Sequence, residues 1–321
     1  MKFSELKKEL NNKVARFYII KGDDAFLRTR AQQMIENRSV KTLEDLNITR
    51  YNDENYNIES ILTDLSAMPM MSDFRVVVLK DLTVKSSNDI DAIHKLLDKK
   101  LTNNILIIND GINVNWYKPL MQDAVVVDCG ALDETMLQRI ALKDFQNNGV
   151  SINADALQNL IRFCNCDMGR ISNEVNKLSN YVGKSNTVTN EIVKQLVTKD
   201  LEYNIFELSN AVAKKDGATA IGIVKHLLNQ KESSQVLLMM ILSNFRRMFF
   251  AVITKDSNAE LAKKLGTKEY AIKIAKDLGK RFGAMRLKNI LEFGAELDYK
   301  IKSGAMTADN ALYFFITNIS L

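Results

Sequence analysis

The chain has 321 residues, 46% hydrophobic and 26% charged, which is the composition of an ordinary globular protein with two or three domains. Residues 233–245 form the longest charge-free stretch, shorter than a bilayer-spanning helix, and the charged N-terminal segment lacks signal-peptide character. A formal net charge of +5 permits contact with phosphate without requiring it. These features predict a cytoplasmic protein with no membrane partner.

The first 130 residues alternate between two kinds of predicted element. Short, β-branched runs occupy residues 17–20, 75–79, 105–108 and 124–127. Each run is almost continuously apolar, which is typical of strands covered on both faces. Helical patterns lie between them, at residues 24–36, 58–66 and 88–99. Strands that alternate with helices predict an α/β domain with a parallel sheet.

The strand signals stop after Asp128, and only helices are predicted from there to the last residue. Their starts fall at residues that often cap helices, near Asp133, Asn153, Asp167, Asn190, Asn204, Asp216 and Ser233. We therefore predict an α/β domain over residues 1–130, a small helical domain over residues 131–200 and a larger helical domain over residues 201–321.

The cysteines and histidines give little support for a metal site or a catalytic site. Cys164 and Cys166 are one residue apart, which is not the spacing of zinc knuckles, and His94 and His226 are distant in sequence. The acidic pairs fall at predicted turns or helix starts, where capping is their usual role. The sequence predicts no metal, no cofactor and no catalytic residue.

The turn after the first predicted strand bears on nucleotide binding. A P-loop ATPase needs G-x-x-x-x-G-K-[ST] there, because the loop amides and the lysine hold the phosphates. Here Gly22 is followed by Asp23 and Asp24, whose charges repel phosphate, and no Gly-Lys-Thr follows. The run at 105–110 ends in Asn-Asp, and Gly111 stands where a Walker B strand has its catalytic glutamate. No nucleotide site is predicted.

Residues 68–71 read Met-Pro-Met-Met between a predicted helix and a predicted strand. Burial in a core is the commoner role of methionine, so the residues alone favour core packing. Pro69 fixes its own φ and disfavours helix at Met68, so the helix that begins near Ile58 is predicted to end there. Met70 and Met71 then lie on a turn, where a binding role stays open.

Six segments, in order, resemble one family, the delta subunit of the bacterial DNA polymerase III clamp loader. They are residues 17–27 (FYIIKGDDAFL), 65–79 (LSAMPMMSDFRVVVL), 167–178 (DMGRISNEVNKL), 205–211 (IFELSNA), 242–247 (LSNFRR) and 298–304 (DYKIKSG). The resemblance implies an AAA+-like module without an ATPase site, formed by the first two domains. It also implies that the third domain joins the helical collar of a five-subunit ring.

The resemblance further implies a function and partners. A member of this family binds and opens the beta sliding clamp for loading onto primed DNA, together with gamma/tau and delta-prime subunits. Its clamp-binding wedge corresponds to Met70 and Met71, supported by Met68 and Pro69. The usual wedge is a leucine followed by an aromatic residue, so the methionine pair departs from the family pattern. The Ser-Arg-Cys triplet that carries the arginine finger of related subunits is absent.

A late cluster of basic residues provides the candidates for DNA contact: Lys273, Lys276, Lys280 and Arg281. A solvated helix face is the commoner explanation of such spacing. Two other functions stay open. The missing Gly-Lys-Thr argues against a divergent AAA+ ATPase, and the wedge and collar motifs argue against a free-standing helical nucleic-acid-binding protein.

Overall fold

The computed structural model describes residues 1–54, 56–82, 84, 86–98, 103–111, 114–130 and 132–320. The chain divides into two compact units, Met1–Leu132 and Asp133–Leu321. The predicted boundary between residues 200 and 201 lies inside the second unit, and the division into three domains stays a prediction.

The first unit is built on a parallel sheet whose strand order is β2-β3-β4-β1-β5. The strands are β1 (Phe17–Lys21), β2 (Ile48–Tyr51), β3 (Arg75–Lys80), β4 (Asn104–Asn109) and β5 (Val125–Asp128). The apolar runs predicted β1, β3, β4 and β5, which this sheet confirms. β2 was missed because it lies at the sheet edge and buries only its end residues, so its Ile-Thr-Arg-Tyr sequence lacks the continuous apolar character of the others.

Helices pack on this sheet. They are α1 (Phe3–Asn12), α2 (Ala25–Ser39), α3 (Glu44–Asn47), α4 (Ile58–Ser66), α5 (Ser87–Asp98) and α6 (Val114–Tyr117), followed by a 3-10 helix (Lys118–Gln122). α4 has the bounds that the sequence predicted. Its residues Ile61 and Leu65 share one core cluster with alternate strand residues such as Val77 and Leu79. α2 packs against β1, β3 and β4 outside that cluster, so the central strands are covered on both faces.

The second unit is mainly helical. Its helices are α7 (Glu134–Asn147), α8 (Ala154–Phe163), α9 (Met168–Val182), α10 (Asn190–Leu196), α11 (Leu201–Ala213), α12 (Gly217–Asn229), α13 (Ser234–Ile253), α14 (Asn258–Leu265), α15 (Glu269–Phe282), α16 (Ala284–Lys302) and α17 (Ala308–Ser320). The carboxylates of Asp133, Asp167 and Asp216 cap α7, α9 and α12. The prediction of α/β followed by helices is confirmed.

Two details of the second unit differ from the prediction. A parallel pair of short strands, β6 (Ser151–Ile152) and β7 (Thr187–Val188), follows Asp128, so the prediction that strands stop there was wrong. Each strand is only 2 residues long, too short for a periodic pattern. α11 begins at Leu201 and not near Asn204, because Asp200 supplies its cap.

Helix α13 is central to the core of the second unit. It packs against α11, α15, α16 and α17 and buries apolar residues along its length. Gly279 lets α15 approach closely, since a Cβ there would lie 3.0 Å from the carbonyl oxygen of Met248. A Cβ at Gly294 of α16 would likewise overlap the side chain of Leu242. α13 has the length and composition of a membrane span, but many of its apolar side chains are used in this core.

Candidate functional site

A turn of apolar residues lies between α4 and β3. The side chains of Met68, Met70 and Met71 are 87%, 54% and 87% exposed. We call residues 68–71 the methionine tip. Helix α4 ends at Ser66, directly before it, as the proline at position 69 led us to expect. Core packing, the commoner role of methionine, does not apply to these three residues.

The buried amide of Asn47 fixes the backbone of Met70. Its Oδ1 accepts a hydrogen bond from the Met70 N–H at 2.7 Å. Its Nδ2 donates to the carbonyl oxygens of Met70 at 2.9 Å and of Leu43 at 3.1 Å. Both hydrogens of this amide are therefore used, and Asn47 is 0% exposed. A satisfied buried amide of this kind gives the tip a defined backbone position.

A second asparagine holds the backbone just before the tip. Asn104, the first residue of β4, donates from Nδ2 to the carbonyl oxygens of Leu65 and, at 3.0 Å, of Ala67. Carbonyl groups at the end of a helix have no partner within the helix, so this side chain closes the end of α4. The sequence reasoning missed both asparagines. The available signal for Asn104 was a polar amide at the first position of an otherwise apolar strand, and Asn47, which precedes the mixed sequence of β2, had no such signal.

The backbone is strained at one residue of the tip, Met71, and at Leu43, which lies directly before α3. Met71 and Leu43 both have a φ of 50°, in the left-handed region. A non-glycine residue pays about 1–2 kcal/mol for this conformation. The Thr42 hydroxyl donates to the Met71 carbonyl oxygen at 3.0 Å and helps to hold it. Strained residues of this kind concentrate at functional sites.

An ion pair supports the base of the tip. Nη2 of Arg75 lies 2.5 Å from Oδ1 of Asp64, and the Tyr51 hydroxyl donates to Oδ2 of Asp64 at 2.6 Å. Nη1 of Arg75 also donates to the carbonyl oxygen of Leu46 at 2.8 Å. Burial and the Asp64 carboxylate raise the pKa of Tyr51 to about 12, so the hydroxyl remains protonated at neutral pH. These contacts join α3, α4, β2 and β3.

The carboxyl ends of β1 and β4 surround a buried arginine. Arg28 of α2 is 8% exposed. Its Nη1 donates to the Gly22 carbonyl oxygen at 2.5 Å, its Nε donates to Oδ1 of Asn109 at 3.2 Å, and its Nη2 lies 3.5 Å from Asp81. A Cβ at position 111 would overlap the guanidinium, so Gly111 makes room for it. This edge of a parallel sheet is the usual place for a ligand, and here a side chain of the chain itself fills it.

The residues around Gly22 complete this arrangement. Gly22 has a φ of +129°, and a Cβ there would overlap the Cys129 backbone, so the turn requires glycine. Oδ1 of Asp24 accepts from the Leu27 N–H at 2.9 Å and caps α2. The sequence predicted that carboxylates stand in the place of a phosphate, but it missed Arg28. The only sequence signal for Arg28 was its position one helical turn after Asp24, the residue that caps α2.

The candidate residues for DNA contact lie on α15. Lys273, Lys280 and Arg281 are exposed, whereas Lys276 is half-buried. Helical spacing places Lys273, Lys276 and Lys280 on one face. Asp277 is also exposed among them and reduces the local positive charge. The structure brings the four candidates together on one helix without showing what they bind.

Among the described residues, the three thiols belong to no group of three or more His, Cys, Asp or Glu side chains that could hold a metal ion. Cys129 and Cys164 are buried and Cys166 is half-buried. Burial, more than the neighbouring carboxylates, raises the pKa of each thiol to about 12. The thiolate is the reactive form of cysteine, so burial of these side chains lowers their reactivity at neutral pH.

Comparison with known proteins covers both units. A family model described as DNA polymerase III, delta subunit, matches residues 18–130, and one described as DNA polymerase III delta subunit, C-terminal domain, matches residues 202–319. The DNA polymerase III subunit delta of Bacillus subtilis (strain 168) is 22% identical over 339 aligned positions, which cover 99% of this chain and 97% of that protein. The probable DNA polymerase III subunit delta of Aquifex aeolicus (strain VF5) is 25% identical over 105 positions, 32% of this chain and 30% of that protein.

The solved structure of the Bacillus subtilis DNA clamp loader delta protein has the same fold, with a TM-score of 0.74, 21% identity and coverage of 99% of both chains. A parallel sheet followed by a mainly helical unit, with one family model in each unit, defines a subunit of DNA polymerase III. The chain belongs to the delta-subunit family of DNA polymerase III.

Proposed function

We propose that this chain binds the beta sliding clamp through Met70 and Met71 and opens it for loading onto primed DNA during replication. Its proposed partners in the loader ring are the gamma/tau and delta-prime subunits, in the cytoplasm. The observation that carries the proposal is the exposure of the methionine tip, 54% at Met70 and 87% at Met71, on a turn fixed by hydrogen bonds.

The energetics of such a contact support the proposal. Burying a methionine side chain fully contributes about 1.5–3 kcal/mol, and a central pair of anchors can supply much of the energy of a small interface. Asn47 and Asn104 hold the backbone before binding, so little further conformational entropy is lost. Methionine is flexible and polarisable, so the pair can fill a groove that accepts leucine and an aromatic residue in relatives.

The proposed role is mechanical and involves no ATP hydrolysis by this chain. The guanidinium of Arg28 fills the space beside the turn after β1, where a P-loop holds phosphate. Asp24 already accepts a hydrogen bond from the first turn of α2. We infer that ATP is bound and hydrolysed by partner subunits in the same ring.

Residues 201–321 are the proposed assembly surface. Leu237 and Ile241 of α13 are buried in their core. Val236 and Met239 of the same helix are 49% and 44% exposed, and Phe314 of α17 is 47% exposed. Exposed apolar side chains on packed helices are suited to docking against a neighbouring helical domain. The basic residues of α15 are the proposed contacts to DNA.

The test is the affinity of the full-length chain for the cognate sliding clamp, measured for the natural sequence and for the Met70→Ala, Met71→Ala double variant. The double variant is expected to lose about 2–5 kcal/mol of clamp affinity, a dissociation constant roughly 30- to several-thousand-fold higher. Its melting temperature should hardly change, because both side chains are exposed. Unchanged clamp binding, or a large loss of stability, contradicts the proposal.

A further inference from the structure

We propose that α3 forms a second part of the clamp contact, with Leu43 and Leu46 as its contact residues; this rests on the proposed function of the methionine tip. Leu43 and Leu46 are 46% and 47% exposed, although leucine is usually buried. Leu43 is the residue directly before the 4-residue helix Glu44–Asn47, and Leu46 lies on the exposed side of that helix. No core function accounts for the exposed half of either side chain.

Helix α3 and the tip form one surface because hydrogen bonds join them directly. Asn47, the last residue of α3, bonds both backbone groups of Met70 and also the Leu43 carbonyl oxygen. Thr42, just before Leu43, donates to the Met71 carbonyl oxygen at 3.0 Å. A partner that covers Met70 and Met71 therefore meets a neighbouring surface whose position is already fixed.

The backbone of Leu43 gives an independent argument. Its φ of 50° is the left-handed conformation that asparagine and glycine tolerate best. Backbone strain offsets part of what the leucine gains from burial on folding, and nearly half of the residue remains in solvent. A strained, half-exposed apolar side chain is the kind of outlier that marks a functional site, which is consistent with contact with a partner.

The surroundings have the anatomy of an interface. Exposed polar residues border the apolar group formed by the tip and the two leucines: Lys41, Glu44, Asp45 and Asp73. An apolar centre with a polar rim is typical of protein–protein contacts. The continuity of α3 with the tip favours the sliding clamp as the occupant over a second copy of this chain.

The experiment uses the full-length double variant Leu43→Asn, Leu46→Gln. Asparagine tolerates the left-handed conformation, so the change removes apolar surface while relieving strain. We expect clamp affinity to fall at least about tenfold, because two half-exposed leucines lose their buried contact. The melting temperature should stay the same or rise. Leu142→Gln, a similarly exposed leucine (39%) on α7, is the matched control and should bind the clamp normally.

The outcomes separate this inference from the proposed function. If Met70→Ala, Met71→Ala loses clamp binding while Leu43→Asn, Leu46→Gln binds as the natural sequence does, α3 is not a contact and the inference fails alone. If neither double variant changes clamp affinity, the proposed function fails as well. Self-association that the leucine variant abolishes, without loss of clamp affinity, assigns the surface to a second copy and overturns the inference. Should the double variant unfold, the single variant Leu46→Gln gives the same decision.

Discussion

Arg28, Asn47 and Asn104 are polar side chains with little or no exposure in the first unit. Asn47 and Asn104 each make two or more hydrogen bonds to backbone groups, whereas Arg28 donates to the Gly22 carbonyl oxygen and to the side chain of Asn109. Asn47 and Asn104 hold the backbone at and just before the methionine tip, whereas Arg28 lies at the carboxyl ends of β1 and β4. At the residue scale, buried polar groups therefore fix the backbone around an exposed apolar turn.

Replacing Arg28 with alanine is expected to lower the free energy of unfolding by about 1–3 kcal/mol, because the Gly22 carbonyl and the Asn109 amide lose a buried donor. Chemical denaturation followed by circular dichroism measures this change. Calorimetric titration with Mg-ATP should detect no binding to the natural sequence or to the variant, since the chain has no Gly-Lys-Thr after Gly22.

The controls for Arg28 separate charge from shape. Arg28→Lys keeps the charge without the planar fork, so an intermediate stability is expected. Lys8→Ala removes an exposed cation from α1 and should change stability by no more than about 0.5 kcal/mol. A micromolar dissociation constant for ATP would falsify the view that the arginine takes the place of a phosphate.

Single residues also show what the sequence could not predict. Pro69 predicted the end of α4 and the turn after it, because its ring acts on the local backbone alone. The exposure of Met70 and Met71 depends on contacts between residues distant in sequence: Asn47 lies 23 positions from Met70, and Asn104 lies 37 positions from Ala67. Only the resemblance to a family favoured exposure before the structure was known.

Among the short elements, a continuous apolar run decided which could be predicted: β5 (Val125–Asp128) is only 4 residues long, and its three valines were enough to predict it. α4 and β4 carry sustained apolar patterns, and the sequence predicted both. α3 (Glu44–Asn47) and β2 (Ile48–Tyr51) are each 4 residues long, and both were missed. A run that short contains about one helical turn or two strand periods, too little to show a period. The missed helix α3 is also the one that we propose as a second clamp contact.

Helix α15 is the element on which the DNA-contact proposal can be tested. Replacing Lys273 and Lys280 with glutamate removes two exposed cations from one face. If both contact phosphates, affinity for primed DNA should fall, and the slope of log affinity against log salt should decrease by about 1.5–2. Fluorescence anisotropy at several salt concentrations, using the chain in its assembled loader, measures both quantities.

A matched control distinguishes contact from net charge. Lys7→Glu, Lys8→Glu on α1 makes the same change in charge at exposed positions of the first unit. This variant should retain the salt slope of the natural sequence. If the natural sequence and the α15 variant show the same slope of log affinity against log salt, Lys273 and Lys280 do not contact phosphate. They then belong to a solvated helix face, which is the commoner explanation of such spacing.

For the whole molecule, the two units have separate cores and separate proposed tasks. The first unit carries the methionine tip on its sheet, and the second packs its helices around α13. The sequence predicted this division of fold class because the apolar period changes near residue 130. Where the second unit meets partner subunits could not be predicted, since buried and exposed apolar positions alternate on the same helix.

Val236 and Met239 allow the assembly role to be tested in the full-length chain. They are one turn apart on α13 and nearly half exposed, so charge there should not disturb the core beneath them. The double variant Val236→Glu, Met239→Glu is expected to lose co-elution with the gamma/tau and delta-prime subunits, because carboxylates become buried without partners in the ring contact. It should keep the clamp affinity and the melting temperature of the natural sequence.

Leu142→Glu on α7 is the control and should co-elute normally. Co-elution of the α13 variant with its partners, measured by size-exclusion chromatography, would place the ring contact on another face of the second unit.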